Sequence, residues 1–95
     1  MAVGIRLKFE GGTQEQYEAV HSHVDVEGSP PAGMIFHSAG PIEGGWGVID
    51  FWESREAFDS FAQGRLMPAV GELGERAFPQ PPDLKEFAVH NITKP

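Results

Sequence analysis

The chain opens on an alternation. Val3, Ile5, Leu7 and Phe9 share one face, while Ala2, Gly4, Arg6 and Lys8 share the other. That period of two predicts a strand. Gly11-Gly12 interrupts it, and Thr13 with Gln16 three residues later is arranged as a capping box. Tyr17, Val20, His21 and Val24 then recur at helical spacing. The stretch Gly28 to Gly33 ends this helix in a loop. A second strand is predicted from about Met34 to Ala39 and a third from about Trp46 to Glu53, joined by a turn with its tip at Glu43-Gly44. Ser54 is an N-cap, and Ala57, Phe58, Phe61, Ala62, Leu66, Ala69, Val70 and Leu73 make one broad helical face. Gly64 and Pro68 fall inside that run. Because proline has no backbone donor, a break is expected near Gly64 with a new turn starting at Pro68. Gly74 stops the helix, Pro79 to Pro82 form a stiff connection, and a last strand covers about Leu84 to Ile92.

Strand–helix–strand thus occurs twice, with a hairpin between. The order βαββαβ is the ferredoxin-like split arrangement of an α+β fold. Right-handed crossovers that each skip one position give a four-stranded antiparallel sheet in the order 4-1-3-2, with both helices on one face. Residues 1–95 are expected to form a single domain. Both faces of the predicted sheet are apolar. On the second strand Met34 and Phe36 point one way and Ile35 and Ala39 the other. On the third, Ile49 and Phe51 oppose Trp46, Val48 and Trp52. On the fourth, Phe87 and Val89 oppose Ala88 and Ile92. Helices cover one face only, so the other is expected to be closed by a second copy of the chain in a two-fold homodimer.

Composition narrows the chemistry. Lys plus Arg number 7 and Asp plus Glu 14, a net charge of −7. A nucleic-acid partner or an anionic membrane surface needs the opposite balance. No cysteine is present, which excludes disulfides, thiolate catalysis and sulfur-ligated zinc. The N-terminal stretch carries Arg6 and Lys8 inside its apolar pattern, unlike a signal peptide or a membrane span, and the cytoplasm is the default compartment.

The third strand and the helix after it, Val48-Ile49-Asp50-Phe51-Trp52-Glu53-Ser54-Arg55-Glu56-Ala57-Phe58, carry a resemblance. Together with the Leu66-Met67-Pro68 step, this stretch is similar to that of antibiotic-biosynthesis-monooxygenase-like proteins of the dimeric α+β barrel superfamily. The resemblance implies a homodimeric barrel. It also implies, as one of several activities, cofactor-independent oxygenation of a small hydrophobic or aromatic molecule. Haem-degrading relatives take their iron ligand from a histidine on the second helix. Residues 54–74 contain none, so no haem, other cofactor or metal is expected. The alternative is a non-catalytic dimeric module that binds a small ligand or is purely structural.

The polar residues inside apolar strands are the candidates for chemistry. With the turn centred on Glu43-Gly44, His37 lies opposite Asp50, and Ile35 opposite Trp52 on the same face. A carboxylate beside an imidazole favours the charged form and fixes the tautomer. His37 and Asp50 are therefore the candidate catalytic pair, in a pocket shaped by Tyr17, His21, Phe36, Trp52, Phe58 and His90. The competing reading is a structural cross-strand pair, or Asp50 bonded to Arg6 across the dimer. For Arg6 itself, Asp50 or Glu53 is the expected carboxylate. His21 and His23 stand about 200° apart around a helix and cannot share one metal.

Overall fold

The computed structural model describes residues 2–95. Strand β1 (Val3–Glu10) leads into helix α1 (Gln14–Val24), the hairpin β2 (Met34–Ile42) and β3 (Gly45–Trp52), helices α2 (Arg55–Phe61) and α3 (Met67–Leu73), and strand β4 (Asp83–Ala88). The sheet runs β2-β3-β1-β4, and all three pairings are antiparallel. This is the predicted ferredoxin-like topology.

Local chemistry places the first helix. The Thr13 hydroxyl accepts from the Gln16 N–H at 3.2 Å, and the Gln16 side chain accepts from the Thr13 N–H at 3.0 Å. Both bonds of the capping box are made, so two of the helix's orphan donors are satisfied. At the other end Asp25 adopts φ 57° and ψ 53°, a left-handed cap that turns the chain away from the helix axis.

The expected break at Gly64 does not occur. Residues Ala62–Leu66 form a π turn between α2 and α3, with the Met67 N–H reaching back to the Ala62 carbonyl. Pro68 cannot donate to the preceding turn. The helix answers by widening rather than by stopping, a bulge that lets it pass the proline with its backbone bonds redirected.

The helix-facing side of the sheet supplies the core. Ile5, Leu7 and Phe9 of β1 and Trp46, Val48 and Trp52 of β3 pack with Phe58 of α2. Val20 and Val24 of α1 pack with Ala69 and Ala77 in a second cluster, where Phe61 and Phe78 touch both. In β2 the register is irregular between Met34 and Phe36. Met34 pairs with Trp52 and Phe36 with Phe51. Ile35 is therefore the extra residue of a bulge, and Met34, not Ile35, takes the inward place opposite Trp52. The last strand ends at Ala88, short of the expected Ile92, and His90 lies exposed on the chain beyond it.

The other face of the sheet is uncovered. Phe36 stacks on Phe51, which meets Phe87 edge-on. Phe36, Ile49 and Phe87 are each about half exposed. Arg6 also emerges on this side and pairs with Asp83 at 2.9 Å rather than with Asp50 or Glu53.

Candidate functional site

The hairpin register puts His37 opposite Asp50 on the helix-facing side. The His37 Nδ1 lies 2.6 Å from Asp50 Oδ1. Asp50 is the one buried charged residue among those described, 3% exposed. A carboxylate so far from water must be matched by donors. It has two, because the Trp52 indole N–H donates to Oδ2 at 3.3 Å. Asp50 can only accept, so His37 must carry its proton on Nδ1 and leaves Nε2 as the free position.

That position is taken by Tyr17. Its hydroxyl lies 2.6 Å from His37 Nε2 and 3.2 Å from His21 Nδ1. The phenol and both imidazoles stack within 10° to 22° of parallel. Tyr17 and His21 are one helical turn apart on α1, which is why a single face of that helix presents both to the sheet. Burial pushes the Tyr17 hydroxyl up to about 12, and the charges of Asp50 and Glu27 add to the shift. The phenol therefore stays protonated at neutral pH and donates its hydrogen to the short bond with His37.

The outermost member is Glu27, whose carboxylate accepts from His21 Nε2 at 3.1 Å. It sits in the turn that follows the α1 cap. Asp25 Oδ1 accepts from the Gly28 N–H at 3.1 Å, and Arg65 donates to the carbonyls of Val24 and Asp25 at 2.7 and 3.3 Å. The π turn that carries Arg65 thus pins the loop that carries Glu27.

These groups border a cavity of about 60 Å³ lined by Leu7, Phe9, Val20, Phe58, Phe61 and Phe78, among others, with Tyr17, His21, His37 and Asp50 at its polar end. Outside it, along β2, a groove of about 290 Å³ is lined by Val26, Glu27, Met34, Phe36 and the same two histidines. His21 and His37 belong to both. The enclosed part alone is well below the roughly 300–1,000 Å³ of pockets that hold drug-sized ligands; cavity and groove together reach the lower end of that range.

The structure brings His37, Asp50, Tyr17, His21 and Phe58 together. Phe36 lines the outer groove from the opposite sheet face. Trp52 is wholly buried beneath Asp50 and serves as its donor, not as a pocket wall. His90 is remote from the site and lines neither space. Sequence reasoning did not find Glu27. Its only signal there is an acidic residue just beyond a helix that ends in histidines.

The cavity does not fit a haem. The side chains that α2 and the π turn direct at the cavity are Phe58, Phe61 and Leu66, none of them an iron ligand, and the space is far too small. Among the described residues no group of three or more His, Asp or Glu is placed to hold a metal ion.

No protein-family model matches the chain, and no curated protein is similar to it in sequence. Its fold is nevertheless shared with solved structures. A candidate antibiotic biosynthesis monooxygenase from Chloroflexus aurantiacus superposes with a TM-score of 0.69 at 16% identity, covering 99% of this chain and 98% of that one. SnoaB, a cofactor-independent oxygenase from Streptomyces nogalater, gives 0.63 at 17% identity over 96% and 94% of the two chains. The heme-degrader MhuD from Mycobacterium tuberculosis, with two hemes bound, gives 0.58 at 27% identity over 99% and 100%. The chain therefore has the fold of antibiotic-biosynthesis-monooxygenase-like proteins, as the third-strand resemblance implied.

Proposed function

We propose that this chain is a cofactor-independent, monooxygenase-like enzyme acting on a small hydrophobic or aromatic molecule with an ionisable C–H or O–H. The observation that carries this reading is the part-buried Asp50–His37–Tyr17 series, with both bonds at 2.6 Å, at the polar end of an apolar cavity. SnoaB, similar in fold, is a cofactor-independent oxygenase, which supports it.

The order of the series assigns roles. Asp50 holds His37 in the Nδ1–H tautomer, so Nε2 is the base. The base acts through the phenol. As Tyr17 gives its proton to His37 Nε2, its oxygen takes one from the substrate. The imidazolium that forms is compensated by Asp50. The substrate carbanion or phenolate is then the reductant. It gives two electrons to dioxygen as a C–OO bond forms. Loss of water from the resulting hydroperoxide, with the hydrogen left on that carbon, takes two more from the substrate, so the carbon ends as C=O and the second oxygen leaves as water. The protein supplies only orientation, proton transfer and exclusion of solvent. The apolar ring system lies in the groove along β2, with its reacting edge turned toward Tyr17.

The reading includes a homodimer closed through the sheet face bearing Phe36, Ile49, Phe51 and Phe87. The isolated chain exposes 6036 Å². A monomeric protein of 10.4 kDa exposes roughly 5,400 Å². The surplus is of the sign an unpaired face produces.

The test is oxygen uptake with a panel of readily ionised polycyclic phenols and anthrones, with a chelator present. His37→Gln and Tyr17→Phe should each lower the rate by roughly 10²–10⁴, the usual contribution of a positioned acid–base group. A rate that survives both substitutions removes the series from the chemistry. A panel with no uptake at all favours the alternative, a non-catalytic binding module.

A further inference from the structure

Four hydrogen-bonded gaps join five side chains in a row: Asp50 to His37, His37 to Tyr17, Tyr17 to His21, and His21 to Glu27. Filling every gap takes four protons. Two ionised carboxylates, a neutral phenol and two neutral imidazoles bring three. The carboxylates at the ends can only accept, so the outer gaps must hold the N–H of His37 and of His21. The single phenolic proton goes to the shorter of the inner gaps, toward His37 at 2.6 Å. The place left empty lies between the Tyr17 oxygen and His21 Nδ1, at 3.2 Å, the longest contact of the row.

We propose that this row is a proton exit, in which His21 and Glu27 carry to solvent the proton that Tyr17 and His37 collect. The inference rests on the base reading of the preceding section and extends it to two positioning residues. When the phenol takes a proton from the substrate and passes its own to His37, the new hydroxyl proton rotates into the empty gap. Transfer to His21 Nδ1, with His37 returning its proton to Tyr17, moves the positive charge to His21. Its Nε2–H then departs toward Glu27 and water. The geometry suits the direction of flow. Asp50 is 3% exposed at the inner end, whereas the Glu27 side chain is 87% exposed at the outer. His21 lies in the last turn of α1, where the helix dipole favours an imidazolium. The groups facing it are Tyr17 from its own helix, His37 from β2 and Glu27 from the turn, while His23 points away to Glu72 on α3. Water exchange at the partly exposed ring restores the starting tautomer.

The exit can be tested with no substrate by following exchange of the Tyr17 hydroxyl proton with water by NMR, on the full chain. Glu27→Gln alters only a surface side chain. It should slow that exchange by about tenfold, less than the full contribution of a positioned acid–base group, and leave amide protection in α1 unchanged. His21→Gln, which cannot pass a proton between two ring atoms, should slow exchange at least as much. Exchange that is unchanged in either variant overturns the exit. That result would leave the base reading standing, since oxygen uptake decides the latter; conversely, a panel without uptake leaves the exchange measurement intact.

Discussion

Tyr17 is the sole tyrosine of the chain, so tyrosinate absorbance reports it alone. Its midpoint is expected at about 12 instead of the model-peptide value of 10.0. The consequence for stability has a definite sign. In the unfolded chain the phenol ionises near 10 and in the folded one near 12, so between those values the unfolded state has lost a proton that the native state keeps. Stability contributed by Tyr17 is therefore complete below pH 10 and is lost as pH rises through 12. Denaturation followed against pH should show this alkaline decline in the native protein and not in Tyr17→Phe. At the same scale, the pairing of His37 with Asp50 was legible because a hairpin's register follows from its turn. Tyr17's reach to His37 was not, since it depends on how α1 crosses the sheet. Glu27 was still less so. Its position follows from a left-handed Asp25 and from an arginine 40 residues further along the chain.

Elements answer to simpler rules, and two measurements check them. Thr13→Ala removes the hydroxyl half of the capping box and should cost about 1 kcal/mol in chemical denaturation. Gly64 lies within the π turn with ordinary helical geometry around it and no atom within 4 Å of where a Cβ would stand. Gly64→Ala should therefore stabilise the protein by about 0.5–1 kcal/mol, through a less flexible unfolded chain and better helix propensity. If it destabilises instead, the π turn is not tolerant there. Periodicity located each strand and both helical regions, because alternation and the 3.6-residue repeat are local properties. The treatment of Pro68 was not local. Whether a helix breaks or widens at a proline is decided by what holds its two halves. Here Phe61 and Leu66 on one side and Ala69 and Val70 on the other pack into the same cluster. Likewise the bulge that swaps Met34 for Ile35 arises from the fit of β2 over the core, which no alternation pattern records.

For the molecule as a whole, the open sheet face sets the prediction. Phe36, Ile49 and Phe87 form an apolar patch beside the Arg6–Asp83 pair, and a stable interface of standard size buries roughly 800 Å² on each partner. Light scattering should give a mass of two chains, and Phe87→Asp should reduce it to one and make the melting temperature independent of concentration. A native mass of one chain would refute the dimer. Among the described residues no helix is long and apolar enough to cross a membrane. What the sequence by itself determined is whatever depends on near neighbours: the strands and helices, the caps, the hairpin that sets His37 against Asp50, and through right-handed crossovers the order of the sheet. Tertiary structure alone decided which groups complete the site and which do not. It brought the phenol of α1 onto the imidazole of β2, sent Arg6 to Asp83, buried Trp52 as a donor and left His90 in water. Those outcomes turn on the angle and depth at which helices sit on the sheet, set by volumes packed from every part of the chain at once and by no residue's neighbours in sequence.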